Sequence, residues 1–208
     1  QAAGLNATTV NVPFLNTSDV SLLLEYQPGA TFINTKQRRL PINLDAPVFT
    51  LGHTMGLKGV LGGEYSYNLS EAGIYKRFWM NSWGKIDTYV KAGAQWNRVP
   101  YPLLIMPAAN LSYIIEDESF NLINNMEFLN DRYAQLMFNW SMNGKIFNRI
   151  PLINRLKIRE HIGFNVLWGK LTDKNNPNLE QNRHRTDLFI FPGEFKNGVF
   201  KPTGYAMD

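Results

Sequence analysis

The sequence predicts an all-β protein, an antiparallel transmembrane β-barrel, on the basis of three observations. Apolar and polar side chains alternate strictly from Tyr133 to Asn143 and again up to Trp168, over longer stretches than the usual strand of about five or six residues. A strand that crosses a bilayer needs about nine to eleven residues. Trp140 and Trp168 lie near the ends of these stretches, as interfacial anchors do. No run approaches the roughly eighteen apolar residues of a transmembrane helix, so any crossing must use strands.

The alternation assigns the side chains of these two stretches to an apolar and a polar face. The apolar set comprises Ala134, Leu136, Phe138, Trp140 and Met142, followed by Leu156, Ile158, Ile162, Phe164, Val166 and Trp168. In a barrel the opposite side chains line the lumen, and the polar candidates there are Gln135, Asn139, Lys157, Arg159, His161 and Asn165. A soluble β-sandwich, with the apolar face packed on a core, shows the same alternation and stays an alternative.

The composition is that of a folded chain with few charges. Of 208 residues, 44% are hydrophobic and 18% are charged, which excludes a disordered chain. The absence of cysteine excludes disulfides and thiolate metal sites. The net charge of +4 is dispersed, and the basic clusters at residues 36–39 and 183–185 have no interleaved aromatic residues. We therefore expect no nucleic-acid partner.

The first half of the chain predicts four strands separated by turn residues. Residues 1–18 show no periodicity and are assigned to a loop. A strand that begins near Leu22 ends at the turn residues Pro28-Gly29, or else continues through residues 30–34. Residues 36–47 are assigned to a connection. The next two strands are centred on residues 49–57 and 65–80, the latter with a bulge near residues 71–73 where the alternation slips. A tight turn at residues 81–84 leads to a regular fourth strand, residues 86–96, whose alternation assigns Asp87 and Lys91 to the face opposite Ile86 and Val90.

One long irregular connection, residues 97–130, separates the fourth strand from the alternating stretches. Connections of this length are usually functional, and its apolar residues must be covered. We expect it to fold into the barrel, with Pro100, Tyr101, Pro102 and Pro107 as the candidates for the inserted part. Residues 146–156 predict no more than a turn or two of helix because of Pro151. The segment from residue 172 reads as an exposed loop that leads to an apolar stub at residues 188–191.

Loop lengths add support for the barrel. The short connections at residues 81–84 and 144–154 fall on one rim, and the long ones, residues 97–130 and from 172 onward, fall on the other. Transmembrane barrels have short periplasmic turns and long external loops, whereas a sandwich has no reason to sort its loops by length.

Charged residues at the strand ends are interpreted as structural. Asp131 and Arg132 begin one stretch and Arg149 follows its far turn, so they are assigned to fixing the rims. Glu160 falls on the apolar face, which predicts a position near a rim or in a bulge because a lipid-facing charge is costly. No nucleophile elbow, metal-type His spacing, phosphate loop or dinucleotide fingerprint is present. We therefore expect no enzyme, no metal and no cofactor; His161 as a catalytic base is the weaker alternative.

Four short motifs resemble a Bacteroidota outer-membrane family of unassigned function. They are Val99-Pro100-Tyr101-Pro102-Leu103-Leu104, Phe120-Asn121-Leu122, Glu127-Phe128-x-x-Asp131-Arg132-Tyr133 and Asn143-Gly144-x-x-x-Asn148-Arg149-Ile150-Pro151-Leu152. Its members look like a carboxypeptidase-regulatory-like N-terminal domain followed by a barrel of the BamA or surface-antigen type. The resemblance covers about residues 47–170, and none of the motifs is an active-site signature.

The resemblance implies that the chain is the middle and later part of a BamA-like barrel of the sixteen-stranded type. Residues 1–208 would all belong to this one outer-membrane domain, cut from a longer protein. Residues 97–130 would take the place of the sixth external loop of the insertases. That loop carries an Arg-Gly-Phe-like tip in the relatives and no such triplet occurs here, which argues against insertase activity.

These expectations lead to three functional hypotheses. The first is a non-enzymatic barrel of the bacterial outer membrane that takes part in envelope assembly or export, or is a subunit of a larger complex. Its partners would be outer-membrane lipid and other envelope proteins. The second is a passive transport channel for small solutes. The third is a soluble β-rich binding domain.

Overall fold

The computed structural model describes residues 15–109, 119–121, 123, 128–176, 179, 182, 193–196 and 199–202. Most of the described residues belong to one antiparallel six-stranded sheet with the strand order β1-β4-β5-β6-β7-β8. Its strands are β1 (Asp19–Tyr26), β4 (Val48–Gly56), β5 (Tyr67–Trp79), β6 (Lys85–Gln95), β7 (Arg132–Ser141) and β8 (His161–Lys170). The prediction of an all-β, antiparallel fold is therefore confirmed.

Short elements occupy the connections. Strands β2 (Phe32–Asn34) and β3 (Arg39–Pro41) form a small hairpin between β1 and β4, and β9 (Gly193–Lys196) pairs with β10 (Val199–Pro202). One α-helical turn, α1 (Pro151–Asn154), lies between β7 and β8, in agreement with the limited helix predicted there. None of the helices in the described part of the chain is long and apolar enough to cross a membrane.

The registers between strands give the sheet one apolar and one polar face. Residues paired in neighbouring antiparallel strands point to the same side, and on one side of the sheet most pairings join apolar residues to apolar ones. Phe138, for example, lies opposite Phe164, with ring centroids 4.9 Å apart. The large side chains of this apolar face are mostly exposed, among them Leu22, Leu24, Leu51, Ile74, Val90, Phe164, Val166 and Trp168.

The buried residues lie on the other side of the sheet. Val99, Leu104 and Leu129 form a small apolar cluster, and Tyr67 and Met106 pack against it. Leu129 is 0% exposed, whereas Trp168 on the apolar face is 56% exposed. No second layer of the described residues covers the apolar face, so the arrangement expected for a β-sandwich is not observed there.

The sheet is open in the described part of the chain. β1 is hydrogen-bonded only to β4, and β8 only to β7. The closed barrel expected from the sequence is therefore not seen among these residues.

Three details of the predicted strands are wrong. The pairing of β4 with β5 runs without interruption through residues 71–73, so there is no bulge. A small residue is required there because a β-carbon on Gly73 would lie 2.5 Å from the Thr50 hydroxyl and 3.6 Å from the Tyr89 ring. Residues 36–47, assigned to a connection, include β3.

The third correction concerns the start of β8. Lys157 and Arg159 were expected to precede His161 on the same strand, but β8 begins at His161. Lys157 has a φ of +51°, in the left-handed region, which interrupts an extended backbone. The two cations therefore lie in the connection and have no place on the polar face of β8.

The alternating strand directions assign the connections to two rims. Residues 27–47, 80–84 and 142–160 lie on the first rim, and residues 57–66, 96–131 and those after Lys170 lie on the second. This agrees with the predicted grouping of the turn at 81–84 against the connection at 97–130. The connections are not fully sorted by length, because the first rim also carries a long one, residues 27–47, which contains the hairpin of β2 and β3.

Candidate functional site

The polar face of the sheet carries a hydrogen-bonded charge cluster that spans three strands. The Glu71 carboxylate on β5 forms a 3.0 Å ion pair with Lys91 on β6 and accepts a hydrogen bond from the Tyr133 hydroxyl on β7. Gly93 lies between Glu71 and Tyr133 in the register of β6. A β-carbon at that position would overlap the Tyr133 ring, so the glycine lets tyrosine reach across a strand.

A second charge cluster lies on the same face, nearer the first rim. Asp87 on β6 accepts hydrogen bonds from Arg77 and, at 2.8 Å, from the Tyr75 hydroxyl. Lys85 is 3.1 Å from the same carboxylate. Each acid on this part of the face therefore has at least one cation beside it, as partly desolvated charges require.

A folded segment covers part of the polar face, and we call residues 99–109, 119–121 and 128–130 the covering segment. Its first and last parts are joined where Ile105 and Asn130 form an antiparallel bridge, with N···O distances of 2.9 and 3.0 Å. Farther along, the Asn165 amide of β8 donates to the Ser119 carbonyl. The cluster around Leu129 fixes this segment by apolar contacts.

A cavity of about 270 Å³ lies between the covering segment and the sheet. It is lined by Glu71, Lys91, Tyr133, Gln135, Asn130 and residues 105–108. The Asn130 side-chain nitrogen has no hydrogen-bond partner among the described residues. A polar cavity of this size has room for several water molecules.

Asp131 joins three segments at the second rim. The residue is 0% exposed, and its carboxylate accepts hydrogen bonds from the Thr172 backbone and hydroxyl and from the Asn175 amide. The Asn175 side-chain oxygen in turn accepts from the Val99 backbone N–H at 3.0 Å. Lys174 donates to the carbonyls of Gln95 and Trp96. This network ties the chain after β8 to the base of the covering segment.

The structure brings four of the six lumen candidates to the polar face. Gln135 lines the cavity, and Asn165 contacts the covering segment. Asn139 is exposed on β7, beside Asp87 in the register. His161 lies at the start of β8, where its Nδ1 is 3.0 Å from the Ser141 hydroxyl. Lys157 and Arg159 are the two that it does not bring there.

Glu160 lies at the first rim, just before β8, in agreement with the alternative of a rim position. One carboxylate oxygen accepts hydrogen bonds from the backbone N–H groups of Ile146 and Phe147, at 3.1 and 2.5 Å. Desolvation raises the pKa of this carboxyl, but these backbone donors outweigh it, so the pKa lies below its usual value.

The candidates in the long connection occupy different environments. Pro100 is buried next to the apolar cluster, Pro102 is exposed, and Pro107 lines the cavity. The backbone of Tyr101 begins a short 3-10 turn, Tyr101–Leu103, and its side chain lies outside the described part.

The side chains of the remaining rim candidates differ from that of Asp131 in having no hydrogen-bond or ion-pair partner among the described residues. Arg149 is exposed in the 3-10 turn Phe147–Arg149. Arg132 is exposed on the apolar face, opposite Lys170.

Sequence reasoning missed Glu71, Arg77 and the tyrosines that join them to other strands. The signal was present, since Asp87 and Lys91 were assigned to one face of the fourth strand. The bulge predicted at residues 71–73 made the facing of the third strand's side chains ambiguous, so Glu71 and Arg77 were not assigned to the same face as Asp87 and Lys91.

Ion pairs and side-chain amides are the main polar groups of this face. Among the described residues, no three His, Asp or Glu side chains come together in a way that could hold a metal ion. The ion pairs and amides of the face could bind water, ions or polar groups.

Comparisons with known proteins give one match. Residues 4–180 match the C-terminal domain of the family of unknown function DUF5686. Searches of the curated proteins and of the solved structures found no match. Because the matched residues make up most of the chain, the chain belongs to the DUF5686 family, of which it carries the C-terminal domain.

Proposed function

We propose that this sheet is part of a transmembrane β-barrel in a bacterial outer membrane, with the apolar face towards lipid and the polar face towards the lumen. The observation that carries this proposal is the continuous apolar face of six strands, left exposed while charged side chains pair on the opposite face. Exposed apolar patches on soluble monomers rarely exceed a few hundred Å². Five of the six strands, β4 to β8, have 9 to 13 residues and are long enough to cross a bilayer at a tilt.

Outer-membrane strands alternate apolar residues towards lipid with polar residues towards the interior. The tryptophans support the same orientation, because Trp140 and Trp168 lie near opposite ends of the apolar face. An aromatic residue with one polar atom suits the boundary between acyl chains and headgroups.

The two open edges support further strands beside β1 and β8. An eight-stranded barrel has an interior just wide enough for side chains. Here the polar face also holds the backbone of the covering segment. A barrel that encloses both needs more strands than eight, which fits a large barrel of the BamA-like type.

We further propose that the barrel is non-enzymatic and acts in assembly or export of envelope components, or as a subunit of a larger outer-membrane complex. The braced interior supports this role over free diffusion, since the covering segment occupies the polar face. The resemblance of the motifs at residues 99–104 and 143–152 to envelope proteins supports it as well. A passive channel for small solutes is the second candidate, favoured by the charged lining of the cavity.

Membrane fractionation and gel migration test the proposal. The protein should require detergent for extraction and should migrate faster on a gel before heating than after it, as folded barrels do. Recovery from the aqueous fraction without detergent would contradict it and favour a soluble β-rich binding domain.

Recordings in planar bilayers separate the two candidate functions. A braced barrel should conduct little, and replacing residues 105–108 with a short glycine linker should raise the conductance. Steady conductance of the unaltered protein would favour the passive channel.

A further inference from the structure

Charges are distributed asymmetrically between the two faces of the sheet. Every carboxylate on the six strands belongs to the polar face, namely Asp19, Glu25, Glu71 and Asp87. The charged residues of the apolar face are all basic, namely Lys76, Arg132 and Lys170. A face that contacts only hydrocarbon would have no charged residues of either sign, so these three cations need an explanation.

Lys76 has a partner within the chain. Its ammonium group donates a 2.6 Å hydrogen bond to the Asp45 carbonyl at the first rim and lies 5.7 Å from the centre of the Phe78 ring. This cation therefore reaches out of the apolar band to a backbone acceptor, as long basic side chains near an interface do.

Arg132 and Lys170 have no such compensation from the described residues. They lie directly opposite each other in the register of β7 and β8, at the second rim, and both are exposed. No described residue forms an ion pair or a side-chain hydrogen bond with either. Like charges directly opposite in a sheet are destabilising, so an anion between them would relieve a repulsion that the described part of the chain leaves in place.

The neighbouring residues are those of a membrane interface. Trp168 lies on the same face, two residues from Lys170, opposite Ala134. On the neighbouring β6 side, Trp96 donates its indole N–H to the Ser70 hydroxyl on β5. The cationic pair therefore lies at the end of the apolar face beside the exposed Trp168, with Trp96 at the same rim. Acyl chains and phosphate groups meet at this depth in a bilayer.

We propose that Arg132 and Lys170 form a binding site for the phosphate of an anionic lipid headgroup, with the lipid's acyl chain beside Trp168. The arginine offers a planar fork that matches two phosphate oxygens, and the lysine adds a point charge. The inference rests on the proposed lipid-facing orientation of the apolar face.

Lipid-dependent stability tests the site. The protein is purified in nonionic detergent, and its melting temperature is measured with phosphatidylglycerol, with phosphatidylcholine or with inorganic phosphate at matched ionic strength. The variants are Arg132→Gln, Lys170→Gln and their combination. Lys157→Gln removes the same charge from an exposed residue of the first rim and serves as the control.

The variants should lose stability relative to the unaltered protein only when the anionic lipid is present. Without it, Lys170→Gln should raise the melting temperature or leave it unchanged, because the repulsion with Arg132 is relieved. With phosphatidylglycerol, the stabilisation of the unaltered protein should be lost in the double variant and kept in Lys157→Gln. Retention of phosphatidylglycerol over phosphatidylcholine, measured by native mass spectrometry, should fall about fivefold for each cation removed.

Insertion into bilayers tests the lipid-facing orientation separately from the lipid site. If the protein does not insert into bilayers, the lipid-facing orientation itself fails, and this site fails with it. If it inserts but the double variant retains phosphatidylglycerol as well as Lys157→Gln does, only the lipid site is overturned. Equal stabilisation by inorganic phosphate would also overturn it, because the ligand would then be a free anion.

Discussion

The Tyr133 hydroxyl on β7 reaches across Gly93 of β6 to donate a hydrogen bond to the Glu71 carboxylate on β5. Two strand spacings, each of about 4.8 Å, are bridged by one side chain because the strand between them presents no side chain. The hydrogen bond and the Glu71 to Lys91 ion pair thus join three strands on the polar face.

Gly93→Ala should destabilise the protein by about 1–3 kcal/mol, because the added methyl group forces the Tyr133 ring to move. The free energy of unfolding in a fixed detergent or lipid measures this loss. Gly52→Ala is the control, since a β-carbon at Gly52 meets its nearest atom, on Leu23, at an ordinary 3.7 Å. Equal effects of the two variants would contradict the described packing.

Asp131→Asn should cost about 2–3 kcal/mol, since a buried carboxylate that accepts three hydrogen bonds is replaced by an amide that accepts fewer. The loss should be local, with faster amide hydrogen exchange at Thr172 and at Val99. Asp45→Asn alters an exposed side chain and should leave both rates unchanged. Unchanged exchange at Thr172 in Asp131→Asn would show that the carboxylate does not hold this rim.

Glu160→Gln should destabilise the connection between β7 and β8 in a pH-dependent way. The folded protein lowers the pKa of the Glu160 carboxyl, so its stabilising effect is present above the pKa of the unfolded chain, about 4.3, and is lost as the pH falls through the folded value. The unfolding midpoints of the two proteins should differ at pH 7 and converge once the pH falls below the folded pKa. If the unfolding midpoints still differ at acid pH, the effect of the substitution comes from packing and not from the charge of Glu160.

Leu129→Ala should loosen the covering segment more than the sheet. Leu129 is fully buried against Val99 and Leu104, and large-to-small changes at such sites cost about 2–5 kcal/mol. Hydrogen exchange should accelerate at Leu104 and Ile105 and stay slow in β5 and β6. Uniform acceleration across the sheet would mean that the two parts unfold together.

Side-chain alternation was enough to predict the two faces of β6, β7 and most of β8. The period of two is a local property, and Phe138 and Phe164 show it regardless of which strands pair. The two faces of the third strand were harder to predict because Ser70 and Ala72 on its apolar face are small. The alternation of large apolar and polar side chains is therefore interrupted there, although the strand pairing is regular.

The candidate site could be predicted only in part, because its contacts join residues far apart in sequence. Tyr133 and Glu71 are 62 residues apart, and Val99 and Asn175 are 76 apart. Neither pair has a local signature. Asp131 was recognised as a residue that fixes a rim from its place at the start of a strand, but its partners Thr172 and Asn175 belong to a segment that reads as an exposed loop.

Site-directed spin labelling tests the orientation of the sheet most directly. The chain has no cysteine, so single cysteines can be placed at Leu136 or Phe164 on the apolar face, and at Gln135 or Asn139 on the polar face. In lipid vesicles, labels at Leu136 and Phe164 should collide with dissolved oxygen and stay inaccessible to a water-soluble nickel complex. Labels at Gln135 and Asn139 should not combine high oxygen accessibility with low nickel accessibility. Labels at Leu136 and Phe164 that are shielded from both reagents, or reached by the nickel complex, would contradict the proposal that the apolar face contacts acyl chains.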